Sequence, residues 1–244
     1  MPALPPDIRQ STLLNALGWV QHGFLPPGVR PPAETAWGQQ RHTPQISEAE
    51  QNFPPKQVVS DGVFSRHGRP VAVYTADCLP VLIACQKTRH LAAVHGGLKG
   101  TLAGVLQQAL ATFQQAGSAM SDLWVAIGPA IGPCCYELGL AMGDEIEASR
   151  WVELPVPRTP QPWPNPASVR DTAPITQPGF WLDLPAMATT MLINAGVPAA
   201  HIDNLNCCTY CMASTGSSYR RNTHTGEGYQ LRFSWIGQQP LSGE

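Results

Sequence analysis

The chain has 244 residues, 43% of them apolar and 13% charged, with a net charge of -2. That apolar share places it among globular chains and excludes a disordered one. The only lysines are Lys56, Lys87 and Lys99, and no basic stripe is present; nucleic acid is excluded as a main partner, because phosphate contacts need clustered cations.

The opening MPALPPDIRQ has no cationic stretch leading into an apolar run, so no secretory leader is expected. No segment approaches the ~18 apolar residues of a membrane span, and a cytoplasmic protein without membrane partners is expected. Gly18–Phe24 reads as a short strand. Residues 26–55 are proline-rich and read as a long surface loop, since proline supports neither helix interior nor central strand. Gln57–Phe64 reads as a second strand.

The strongest β signal follows, in PVAVYTADCLPVLIACQKTRHLAAVHGG. Val71–Thr75, Val81–Cys85 and His90–Val94 read as successive strands of one meander. Ala76–Pro80 reads as a tight break in which Pro80 ends backbone pairing. Thr101–Gln115 has apolar residues at helical spacing. Asp122–Ile127 is a further strand, and Tyr136–Ser149 is predicted helical. Residues 154–178 form a second proline-rich loop. Asp183–Asn194 reads as a helix with Asp183 as N-cap, Pro185 in its first turn and Gly196 after its end. His201–Cys207 and Tyr229–Ile236 are late strands. Strands cluster without a regular βαβ repeat, so the expected class is α+β, in a single domain spanning 1–244.

Cys78 follows a buried strand, and His95 lies 17 residues on, after another strand. Neighbouring strand ends would bring the two together. A thiolate and a neutral imidazole are both good zinc ligands. A third ligand is needed, and His22, His42, His67, His90, His201 and His224 are all available. Spacing alone leaves that choice open. Three protein ligands would leave a fourth position for water or substrate, the catalytic arrangement.

Four blocks then occur in order: TADCLPVLIAC, AAVHGGLKGTLAGVL, AIGPAIGPCCYELG, and CTYC with SSYRR. Together they resemble the family once called multicopper polyphenol oxidase or laccase-like, and QQRHTPQI at 39–46 is similar to its first-histidine block. The resemblance implies packed mixed sheets flanked by helices, an α/β/β/α-like sandwich. It also implies zinc bound by His42, Cys78 and His95, with Cys78, His95 and Asp77 in the catalytic group.

The implied chemistry is phosphorolysis of adenosine, inosine, guanosine or methylthioadenosine, with deamination of adenosine. Purine nucleoside and phosphate would be its small-molecule partners. Phosphate needs a cationic or N–H-rich pocket. Lys99, placed just before a helix starting near Thr101, and the Arg220–Arg221 pair are the candidates. The chain departs from the family in carrying Leu98 and Lys99 where tryptophan and arginine are common, and in a shortened insert before QQRH.

Seven cysteines in a reducing compartment are expected as thiols or metal ligands. Cys134–Cys135 and the CxxC pair Cys208 and Cys211 read as thiols packed near the site rim; the alternative is a structural zinc cluster, but nothing else in the chain is spaced like a zinc ribbon. The H-x-E and P-C-x-x-C signature of base deaminases is absent. Seven histidines without a His-x-His pair argue against copper laccase chemistry. The competing readings are a hydrolase editing peptidoglycan precursors and a non-catalytic zinc-bearing interaction module.

Overall fold

The apolar runs of the sequence become strands buried on both faces. The computed structural model describes residues 8–49, 53–153, 155–170, 178–212 and 217–239; the first seven residues and 171–177 of the second proline-rich stretch lie outside the described residues. The strands are β1 Val20–Phe24, β2 Ile46–Glu48, β3 Gly62–Ser65, β4 Val71–Thr75, β5 Leu79–Cys85, β6 Leu91–Gly96, β7 Leu123–Ile127, β8 Glu137–Gly139, β9 Arg158–Thr159, β10 Gly179–Leu182, β11 Ile202–Asn204 and β12 Arg232–Gln238. The α-helices are α1 Thr12–Ala16, α2 Leu98–Leu102, α3 Val105–Gln115, α4 Leu140–Glu147, α5 Leu184–Asn194 and α6 Tyr219–Thr225.

A six-stranded mixed sheet runs β11-β7-β5-β6-β3-β2, and a three-stranded antiparallel sheet runs β1-β12-β4. A third small sheet, β8-β10-β9, stands apart from both. Alternation along β5 sorts its side chains between two cores. Leu79, Val81 and Ile83 join a core with α3 and α5, through Leu106, Phe113, Met187 and Leu192. Leu82 and Ala84 join a second core with Phe24, Val71, Val73 and Ile236 of the three-stranded sheet. The larger sheet is thus sandwiched between helices and the smaller sheet. The chain is a single α+β domain.

Three expectations need correction. The predicted meander is divided between sheets: β4 pairs β12, while β5 and β6 form a hairpin in the larger sheet. Nor does Pro80 end pairing, since β5 begins at Leu79 and Pro80 lies opposite His95. Its carbonyl accepts from Gly128 N–H at 2.9 Å, which needs no proline N–H. The predicted helix Thr101–Gln115 is two helices, divided at Gly104, whose φ is +93°.

Other boundaries moved less. Tyr136–Ser149 contributes β8 before α4 begins at Leu140. The Gln57–Phe64 segment supplies only β3, from Gly62; His201–Cys207 shortens to β11, and the last strand shifts to β12, starting at Arg232 and running past Ile236 to Gln238. Asp183 caps α5 as predicted, accepting from Ala186 N–H at 2.9 Å, and Gly196 follows at φ +99°. No described helix is long and apolar enough to cross a membrane.

Candidate functional site

The β5–β6 hairpin positions two of the predicted residues. Leu79 pairs Gly96 and Pro80 pairs His95, so Cys78, one residue before β5, emerges beside His95 at the end of β6. The third arrives from the proline-rich loop. His42 has a left-handed backbone, φ 59°, rare for a residue with a β-carbon. Asp61, just before β3, holds that turn. Its carboxylate accepts the backbone N–H groups of Arg41, His42 and Thr43 at 3.0, 2.9 and 2.8 Å. Three successive N–H groups wrapped on one anion form a nest.

Asp61 also orients His95. Its Oδ1 accepts from His95 Nδ1 at 2.8 Å, and its backbone carbonyl accepts His95 N–H at 2.7 Å. A carboxylate can only accept, so Nδ1 carries the proton and Nε2 presents its lone pair. Burial works to raise the Asp61 pKa, but the bonds from His95, Thr43 and Arg41 outweigh it and hold the carboxyl well below its usual range. For His95, burial disfavours the cation, yet hydrogen bonds to Asp61 and Cys78 outweigh it and raise the pKa to about 9. An ion held at Nε2 takes the place of that extra proton. His42 is shifted the other way by burial, His95 and Lys99.

The ligand atoms of His42, Cys78 and His95 lie within 4.8 Å of one another, and the two rings stand 4.8 Å apart between centroids. Gly97 keeps the space between them clear. A β-carbon there would sit 2.4 Å from His42 Nδ1 and 3.0 Å from Cys78 Sγ. Two imidazoles and a thiol around a cleared centre suit zinc, with three protein ligands rather than the four of a closed structural site.

A sequence profile described as multi-copper polyphenol oxidoreductase laccase matches residues 28–236. The chain belongs to this family. Among its laccase-family relatives, "Purine nucleoside phosphorylase YlmD" of Geobacillus stearothermophilus is 34% identical over 175 residues, covering 71% of this chain and 58% of that protein. "Purine nucleoside phosphorylase PA4543" of Pseudomonas aeruginosa is 31% identical over 194 residues, 78% of this chain and 70% of the relative. The match therefore spans a little over half of the Geobacillus relative's length. The crystal structure of that YlmD superposes with a TM-score of 0.75 at 22% identity, over 97% of this chain and all of the other. The Bacillus licheniformis protein YfiH gives 0.72 at 20%, over 96% and 100%. At such identities the superpositions establish the laccase-family fold.

The remaining predicted residues divide. Asp77, at φ 86°, directs its carboxylate to the C-terminal segment. It accepts from Thr209 Oγ1 at 2.6 Å, Ser218 Oγ at 3.0 Å and Arg220 N–H at 2.6 Å. Arg220 donates to the Glu137 carbonyl at 2.8 Å and lies over the Tyr136 ring. Arg221 donates to the Tyr210 carbonyl at 2.6 Å and pairs with Glu227.

Lys99 is exposed and its charge reaches His42. Its predicted place before a helix at Thr101 is wrong. The short α2 begins at Leu98, and Thr101 N–H already donates to the Gly97 carbonyl at 2.8 Å. No free helix start faces an anion at Thr101.

Other histidines fall elsewhere. His22 Nε2 accepts from Ser11 N–H, His90 bonds Ser118, His201 stacks on Trp124 and His224 meets Tyr210; His67 is in neither compact ligand group. Sequence reasoning missed Asp61 and Tyr136. Burial pushes the Tyr136 phenol pKa up, helped by the nearby Cys78 and Asp77 and opposed by Arg220, whose guanidinium lies over its ring. A nearby hydrophilic hollow of about 290 Å³ is lined by Glu137, Arg220 and His224. Only Asp61 left a trace in the sequence, as an acid just before a strand.

Proposed function

We propose that this chain is a zinc-dependent purine nucleoside enzyme. It cleaves adenosine, inosine, guanosine or methylthioadenosine with phosphate and deaminates adenosine. The observation that carries the reading is the open group of His42, Cys78 and His95, oriented by Asp61. The names of its family relatives supply the substrate class. Seven free thiols fit a cytoplasmic setting.

His42, Cys78 and His95 would hold the zinc, which when bound supplies Lewis acidity that polarises oxygen and lowers the pKa of water toward neutrality. In phosphorolysis a phosphate oxygen bonds to C1′, while the glycosidic C–N bond breaks and the purine leaves with the electron pair and takes up a proton. The chain must hold an anion beside a neutral sugar. Lys99, next to His42, and Arg220, next to Tyr136, are the cations for that task. Asp77 is a positioning residue, because its carboxylate is committed to Thr209, Ser218 and Arg220. In deamination, water adds to the purine ring carbon and ammonia leaves.

The oxidase part of the family's description does not fit the donors. Among the described residues two groups are compact enough to hold an ion, and only one contains histidine. Multicopper oxidation needs many more imidazoles.

The deciding experiment incubates zinc-replete protein with adenosine, inosine, guanosine and methylthioadenosine, with and without phosphate, and measures free base, sugar phosphate and inosine. Phosphate-dependent release of base is expected, and loss of it in Cys78→Ser and His95→Ala. Absence of any product would reject this reading in favour of precursor hydrolysis or an interaction module.

A further inference from the structure

Four cysteines that the proposed chemistry does not use converge on one point. Cys134 and Cys135 lie in the loop between β7 and β8, and Cys208 and Cys211 in the loop after β11. Their sulfurs all lie within 4.8 Å of one another. Cys135 to Cys211 is 3.4 Å and Cys134 to Cys211 is 3.8 Å. All four are free thiols. A tetrahedral zinc with four sulfurs at roughly 2.3 Å has S···S edges of about 3.8 Å. The spacing found is near that edge, well beyond a disulfide's roughly 2.05 Å.

We propose that Cys134, Cys135, Cys208 and Cys211 form a second metal site, a closed tetrathiolate that takes zinc and has a structural role.

The surroundings suit thiolates rather than apolar thiols. Gly132 N–H donates to Cys208 Sγ at 3.3 Å, and the Asn165 amide donates to Cys134 Sγ at 3.3 Å and Cys211 Sγ at 3.6 Å. Amide donors on sulfur offset the excess negative charge of four thiolates on a dication. Arg170, ion-paired with Glu137, ties down the loop by donating to the Cys135 carbonyl at 3.0 Å. Cys134 and Cys135 are buried, while Cys208 and Cys211 are half-buried. A cavity of about 250 Å³ lined partly by Cys134 and Cys208 gives an ion access. Four protein sulfurs leave no open position, which separates this site from the three-ligand group.

The position gives the cluster a purpose. Thr209, between the two CxxC cysteines, donates to Asp77 beside Cys78. Ala130 N–H donates to the Cys207 carbonyl and Thr209 N–H to the Ala130 carbonyl, at 3.1 and 2.9 Å. Tyr136 directly follows Cys135. A metal joining the two loops fixes Thr209 and Tyr136, and through Thr209 it fixes Asp77.

The test uses the full chain, reduced, zinc-reconstituted and freed of loose ion, with metal counted by elemental analysis. The double variant Cys78→Ser/His95→Ala should retain about one zinc per chain. Replacing that zinc with cobalt should give intense sulfur-to-cobalt charge transfer with the visible bands of a tetrahedral ion. Cys208→Ser/Cys211→Ser, made in that background, should abolish both signals. Should this last variant fail to fold, the cobalt spectrum of the parent double variant still decides. No retained metal there, or cobalt without sulfur charge transfer, overturns the proposal. So does a count below seven titratable thiols in the denatured, metal-stripped wild type handled without reductant, which would reveal a disulfide. If wild type and the double variant hold the same single zinc, the cluster stands and the three-ligand reading fails.

Discussion

Gly97 and Asp61 shape the proposed zinc site of His42, Cys78 and His95 without joining its donor atoms. Gly97→Ala should drive a methyl into the space between His42 and Cys78. We expect a loss of zinc affinity of roughly 10- to 100-fold, the scale seen when a metal's supporting shell is disturbed, with the fold intact by circular dichroism. Competition with a chromophoric chelator measures it, and wild-type affinity would contradict the cleared-centre argument. The cations proposed for phosphate are separable in the same way. Lys99→Ala should raise the phosphate requirement roughly 10- to 150-fold, the value of one charge-assisted contact, at unchanged metal content. If phosphate dependence stays flat, the anion belongs with Arg220. Cys78 and His95 were legible because strand and turn signals around them were strong enough to imply adjacent strand ends. His42 was reached through family resemblance, because its place depends on a carboxylate gathering three backbone N–H groups, which no local pattern announces. The four cysteines read as rim thiols rather than one cluster for a related reason: the two halves meet only through the packing of two distant loops.

The break between α2 and α3 shows how one glycine defeats a periodic pattern. Apolar spacing across Thr101–Gln115 is continuous, so the sequence reads as one helix. Gly104 instead takes φ +93°, and a β-carbon there would lie 2.6 Å from Trp151 Nε1. The turn lets α2 pack beside His42 while α3 covers the larger sheet. Gly104→Ala should cost about 2 kcal/mol or more, from the left-handed backbone and the indole clash together. A urea midpoint shift measures the loss, and an unchanged midpoint would mean that the two helices can merge. The cap of α5 was read correctly because it is local chemistry, Asp183 before Pro185. Pairing partners of β4 and β5 were not, since both strands are apolar on each face and give no sign of which sheet they enter.

Stability of the whole molecule against acid should turn on His22. It lies on β1 in the smaller sheet and is 1% exposed. Its Nε2 accepts from Ser11 N–H at 2.8 Å, and Ser11 in turn caps α1 and donates through Oγ to Asp203 on β11 of the larger sheet at 2.7 Å. The neutral ring therefore helps join both sheets and α1. Burial lowers its pKa to about 4, against a smaller opposing pull from Asp203. The unfolded chain takes up a proton here near the ordinary value of about 6.5, while the folded chain resists until about pH 4. Stability is thus full above the unfolded pKa and falls as the solution is acidified through that window. The loss from this one group between about pH 7 and about pH 4.5 is about 2 kcal/mol. Asp61, held below the usual carboxylate range, gives up its contribution only at still lower pH. His22→Gln keeps an acceptor for Ser11 N–H and removes the titration. Urea unfolding of metal-free wild type and variant at both pH values should show the variant losing about 2 kcal/mol less on acidification. Equal losses would mean that another group sets the acid limit.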